Sequence, residues 1–99
     1  MFNVNGKSMG NAEKRWVLYM LECGDSTLYT GITNDLKQRL KRHQAGKGAR
    51  YTRGRLPVRL VYAERCKNRG VALRKEHALK RCRRTVKRAL IEKAGKCAP

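Results

Sequence analysis

Self-repulsion is the first constraint on what this chain can fold into. Its 99 residues hold 25 Lys and Arg against 7 Asp and Glu, a formal net charge of +18. Residues 1–36 are nearly neutral, with Lys7, Lys14 and Arg15 set against Glu13, Glu22, Asp25 and Asp35. Residues 37–99 carry 22 cations and three acids, Glu64, Glu76 and Glu92, a net +19. Charge at this density opposes collapse and attracts polyanions. The chain folds only if periodic apolar runs build a core, and at this length that means one small domain of marginal stability.

The charge also narrows the function classes. A basic block reads as the electrostatic footprint of a DNA or RNA binder. A membrane-surface helix would want Trp or Phe on its apolar face. The single Trp16 and single Phe2 lie outside the basic half, which argues against a membrane partner. No run of about 18 apolar residues is present to span a bilayer. Residues 1–11 lack the apolar stretch of a signal peptide, so a cytoplasmic or nucleoid-associated place is expected. Cys23, Cys66, Cys82 and Cys97 show no Cys-x-x-Cys spacing, so free thiols in a reducing compartment are expected rather than zinc or disulfides.

Residues 1–14 are polar and aperiodic and read as a flexible leader. Trp16 to Leu21 is a short apolar run, a strand buried on both faces. Cys23 to Ser26 supply a turn, and Thr27 to Thr33, rich in β-branched residues, read as the hairpin partner. Gly31 within that strand marks a bulge or a close backbone approach. Asn34 or Asp35 caps a helix to about Ala45, with Leu36 and Leu40 on its apolar stripe and Arg39 and His43 sharing another face. Gly46-Lys47-Gly48 ends it. Ala49 to Pro57 read as a basic loop, and Val58 to Tyr62 as a third strand. Asn68 or Gly70 opens a second helix through about Arg81, with Ala72, Leu73, Glu76 and Leu79 inward. Thr85 caps a third helix ending at Gly95, with Val86, Ala89 and Leu90 inward. The order β-β-α-β-α-α is an α+β domain with a small antiparallel sheet, spanning 15–95, with 96–99 as a tail.

Three features suggest chemistry beyond binding. Tyr19 and Tyr29 lie on adjacent hairpin strands. Arg39 stands one helical turn before His43. Glu76 is a lone acid among Arg74, Lys75, His77, Lys80 and Arg81, a placement that repels phosphate unless a divalent cation bridges the two. Each has a plainer reading. The tyrosines could be packing residues. Arg39 could pair with Asp35, His43 could sit on the helix surface, and Glu76 could pair with Lys80 at i, i+4.

Taken together, these residues resemble the GIY-YIG nuclease family, and especially its small single-domain YhbQ-like members, over roughly Trp16 to Gly95. The first family tripeptide appears as Val17-Leu18-Tyr19, with its Tyr kept. The second appears as Tyr29-Thr30-Gly31, with Tyr and Gly kept. The family's helix Arg falls on Arg39, its following His or Tyr on His43 and its metal-binding Glu on Glu76. The Gly46-Lys47-Gly48-Ala49-Arg50 stretch, with Thr52 and Arg53, is similar to the YhbQ-like group. The late Asn of many members has no counterpart, since no Asn follows Glu76.

The resemblance implies a three-stranded antiparallel sheet flanked by helices and metal-dependent hydrolysis of a phosphodiester. Glu76 would hold one Mg²⁺ or Mn²⁺, and Arg39 would offer its donor fork to phosphate. Tyr19 would act as base, with Tyr29 positioning or binding water and His43 relaying or stabilising; the family picture leaves the choice of base between the two tyrosines open. A free phenol titrates near 10, so this role calls for help from nearby cations. Gly31 would let the backbone pack closely under the site. Lys47, Arg50, Arg53 and Arg55 would flank it and track the nucleic-acid backbone. The expected protein is a monomeric, structure-preferring DNA endonuclease of repair or recombination. A non-catalytic nucleic-acid-binding module is the alternative.

Overall fold

The computed structural model describes residues 15–97, so the expected leader and the last two residues lie outside the described residues. The elements are β1 (Trp16–Glu22), β2 (Leu28–Thr33), α1 (Leu36–Gln44), α2 (Arg50–Arg53), β3 (Arg59–Cys66), α3 (Arg69–Lys80) and α4 (Arg84–Cys97). The sheet is antiparallel in the order β2-β1-β3. The fold is α+β, with the most apolar segment as the central strand.

Alternation along β1 builds two cores. Val17, Tyr19 and Leu21 face one way and join Leu36 and Leu40 of α1. Leu18 and Met20 face the other way and join Ala72 and Leu79 of α3 and Leu90 and Ile91 of α4. The sheet is therefore the middle of three layers. This explains why five consecutive β1 residues, Val17 to Leu21, are buried. The β1–β2 pairing is regular and sets Tyr19 opposite Gly31. The irregularity lies on the β3 side, where Met20 pairs with Tyr62 and Leu21 with Leu60, leaving Val61 as the extra residue of a bulge.

Helix starts follow local chemistry. Asp35 caps α1 by accepting the Gln38 N–H, and Asn68 caps α3 by accepting the Val71 N–H. Gly46, at φ +77°, terminates α1 in the left-handed region.

Four sequence expectations need correction. The basic loop contains a helical turn, α2, where Thr52 N–H reaches Ala49 C=O. β3 runs to Cys66 because it pairs with β1 over the whole length of that strand. Arg84 already lies within α4, ahead of Thr85, and the helix continues to Cys97, past Gly95. The inward stripe of α4 is Leu90 and Ile91, while Val86 and Ala89 are exposed. Arg88 ties the helix to the β1–β2 hairpin. It pairs with Glu22 at 2.9 Å, and Arg84 and Arg88 both donate to the Ser26 carbonyl in the β1–β2 turn.

Candidate active site

Tyr19 leaves the middle of β1 on the α1 side. Its hydroxyl lies 2.9 Å from Nε2 of His43, on the last turn of α1. His43 is fully buried, so it is not the helix-surface residue of the plainer reading. Its other ring nitrogen, Nδ1, lies 2.9 Å from the Thr52 hydroxyl on α2, and that hydroxyl donates to Ala49 C=O at 3.0 Å. Tyr29 packs against both rings, at centroid distances of 6.3 Å from Tyr19 and 5.3 Å from His43. Tyr51 stacks on Tyr29 at 6.0 Å.

Two glycines make room for this cluster. A Cβ on Gly31 would stand 2.7 Å from the Tyr19 hydroxyl oxygen. Gly31 is thus the close approach, not the bulge. A Cβ on Gly48 would stand 2.4 Å from Nδ1 of His43. In the sequence Gly48 reads as part of a helix stop and of a family-like stretch, and neither carries a signal of its contact with the ring. Thr52 was likewise noted only as part of a family-like stretch. A polar residue one turn into a basic segment carries no signal of burial until α2 forms.

Arg39 lies one turn before His43 and acts on both phenols. Tyr19 and Tyr29 together raise its already high pKa, Tyr19 most strongly. Its Nε is buried with no hydrogen-bond partner, a donor left for a ligand oxygen. No ion pair with Asp35 forms; the Asp35 side chain caps α1 instead.

Burial shifts the two ring groups in opposite directions. Burial pushes the Tyr19 hydroxyl up to about 12, and the opposing pull of Arg39 does not compensate. His43 is driven down to about 4, by burial first and then by the Arg39 charge. At neutral pH the pair is therefore a protonated phenol and a neutral imidazole.

Glu76 lies on α3, which packs against β2 and β1. It falls four residues after Ala72 and three before Leu79, both buried, and so sits on the inward stripe. Its side chain is 15% exposed and pairs with Lys80 at 3.3 Å. The structure brings Tyr19, Tyr29, Arg39 and His43 into one cluster, and no hydrogen bond or ring contact joins Glu76 to it directly.

Of the basic residues near the site, Lys47, Arg50 and Arg53 are exposed. Arg55 is held internally. Its guanidinium lies 4.0 Å over the Tyr51 ring, donates to the Tyr51 carbonyl and pairs with Asp25. Cys23, Cys66 and Cys82 are free thiols. No helix among the described residues is long and apolar enough to cross a membrane.

A central strand carrying one tyrosine, an edge strand carrying Tyr-x-Gly and a helix carrying Arg and His lie together in this fold. The model of the GIY-YIG catalytic domain matches residues 15–89, and the chain belongs to that family. Within it, the chain is 50% identical to a UPF0213 protein of Streptococcus sanguinis over 81% of its own length and 92% of that protein. It is 46% identical to a UPF0213 protein of Desulfotalea psychrophila, over 82% and 74% of the two chains. The solution NMR structure of a UPF0213 protein from Bacillus halodurans matches with a TM-score of 0.52 at 42% identity, over 79% of this chain and 83% of that one. An NMR structure of a protein from E. faecalis matches with a TM-score of 0.59 at 30% identity, over 88% and 93%.

Proposed function

We propose that this protein is a metal-dependent endonuclease that hydrolyses DNA phosphodiesters, with a preference for branched or flapped duplexes of the kind met in repair and recombination. The observation that carries the reading is the buried Tyr19–His43 pair beside Arg39, whose Nε is left unpartnered. A phenol hydrogen-bonded to a buried neutral imidazole is a proton path, and an unsatisfied guanidinium nitrogen is a phosphate donor.

The magnitudes limit how the path works. With burial pushing Tyr19 up to about 12 and His43 down to about 4, full transfer of the phenol proton to the imidazole in the resting site is strongly uphill. Tyr19 is therefore not a standing phenolate. It takes a proton from the attacking water while releasing its own to Nε2 of His43. As the water oxygen bonds to phosphorus, the bond from phosphorus to the leaving oxygen breaks; that oxygen takes a proton from solvent, and His43 releases the proton it received to solvent. A phosphate on Arg39 would also relieve the charge that depresses His43, making the imidazole a better base once substrate is bound. Tyr29, packed on both rings, holds them in place.

The donor set suits a hard cation held by one carboxylate. No group of three His, Cys, Asp or Glu side chains lies together among the described residues. Glu76 is a half-buried carboxylate on an inward helix stripe. Mg²⁺ is commonly held by one or two carboxylates, keeping several waters and the substrate phosphate. Glu76 would hold it or Mn²⁺, and when bound the ion neutralises charge developing at the phosphate and its leaving oxygen.

The test is cleavage of branched, flapped and plain duplex DNA with Mg²⁺ or Mn²⁺, comparing the protein with Glu76→Ala. Loss of cleavage in the variant and in EDTA is expected; no cleavage of any substrate sinks the reading. A second reading, a non-catalytic binding module for DNA or RNA, is favoured by the Glu76–Lys80 pair and by the missing late Asn. A binder would hold nucleic acid equally well in EDTA.

A further inference from the structure

Thr52 ends the chain of bonds that begins at Tyr19, and where its one hydroxyl proton goes sets the direction of every other link. The Thr52 hydroxyl is placed to donate to Ala49 C=O, 3.0 Å away, which also accepts the Thr52 and Arg53 N–H groups. The same Oγ must then accept from His43 Nδ1, at 2.9 Å. Nδ1 therefore carries the imidazole proton. Nε2 is bare and accepts the Tyr19 hydroxyl proton across 2.9 Å.

We infer that Thr52 is a positioning residue that locks His43 in the Nδ1–H form, so that Nε2 stands ready to take the Tyr19 proton. The inference rests on the nuclease reading and adds to it the residue that gives the proton path its direction. Without the Thr52 oxygen, the ring is free to carry its proton on Nε2. That proton would then point at Tyr19 and block transfer. Thr52 is fully buried, so water does not substitute for it. Gly48 keeps the arrangement tight, because a side chain there would occupy the space of Nδ1.

The comparable loss, when a group that fixes a tautomer is removed, ranges from about tenfold to several thousandfold in turnover. Two measurements on the full chain test it. The first is ¹⁵N NMR of the His43 ring at pH 7, expected to show Nδ1 protonated and Nε2 bare. A protonated Nε2 in the unmodified protein overturns the inference without any activity assay.

The second compares cleavage by Thr52→Val and Thr52→Ser. Valine keeps the volume and removes the oxygen, and turnover is expected to fall at least about tenfold with KM nearly unchanged. Serine keeps the hydroxyl and is expected to restore both turnover and the Nδ1–H signal. If valine fails to fold, a serine variant that folds yet shows Nε2–H overturns the inference. Valine turning over at the unmodified rate overturns the role of Thr52 and leaves the nuclease reading intact. An unmodified protein that cuts no substrate overturns both.

Discussion

At the residue scale, two opposite pKa displacements give two pH predictions. His43 titrates near 6.5 when unfolded and near 4 when folded. The unfolded chain binds the proton more readily, so stability is full above about 6.5 and falls as pH drops toward 4. The loss is about 3 kcal/mol over that window. Urea midpoints measured at pH 7, 5.5 and 4 should fall in that order, and His43→Asn should flatten the curve. In cleavage, the same group must be neutral. The kcat/KM profile should rise through about pH 4 and stay level to about pH 9, because Tyr19 keeps its proton to about 12. A tenfold climb per pH unit up to pH 9 would instead identify a free phenolate and contradict the relay. Gly48→Ala puts a Cβ within 2.9 Å of the His43 Cα, which is backbone and cannot swing aside. It should cost about 1–3 kcal/mol in chemical denaturation.

At the element scale, α1 matters because it carries Arg39 and His43 at one spacing. Its cap is exposed and local, so Asp35→Ala should cost about 1 kcal/mol by denaturation without changing the site's chemistry. Helix α3 separates stability from function. Glu76→Gln breaks only an i, i+4 pair with half-exposed Lys80, worth about 0.5 kcal/mol or less. The same change should lower Mg²⁺-supported cleavage by about a hundredfold or more, since a cation's charge stabilisation is worth several kcal/mol. A variant that melts normally and cuts normally would remove Glu76 from the site. Strand and helix identity was largely legible in the sequence. Alternation in β1, the Asp35 and Asn68 caps and the Gly46 stop are local signals, and local physics decides them. The α2 turn and the phase of α4 were not legible. In the fold α2 is joined to α1 by the Thr52–His43 contact and α4 to β1 by the Arg88–Glu22 pair, partners 9 and 66 residues apart in sequence.

At the scale of the whole molecule, charge dominates. Glu22, Asp25, Glu64 and Glu76 are each ion-paired, so the net +18 has no answer within the chain. Salt should act in opposite directions on the free protein and on its complex. Added salt screens self-repulsion and should raise the Tm of the free protein. It should weaken DNA binding, with log K falling against log salt at a slope of about −5 if about six phosphates are neutralised. An affinity indifferent to salt would rule out a backbone-tracking surface. Exposed Lys47, Arg50 and Arg53 should contribute to that slope for every substrate sequence alike. Arg55→Ala should instead lower stability, because its guanidinium is committed to Tyr51 and Asp25.

The amino-acid sequence by itself determined the α+β class, a first strand buried on both faces, the basic charge of the chain and the membership of Tyr19, Tyr29, Arg39 and His43 in one family pattern. Periodicity, capping and net charge are properties of neighbouring residues or of simple sums, and they survive without coordinates. Only the tertiary structure decided that burial outweighs the Arg39 charge at Tyr19, and that Thr52 and Gly48 close around His43. It also placed the Thr52 hydroxyl within 2.9 Å of Nδ1 and the Tyr19 hydroxyl within 2.9 Å of Nε2 of the same ring. Desolvation and hydrogen-bond direction depend on what surrounds an atom in space, and a linear pattern does not encode that.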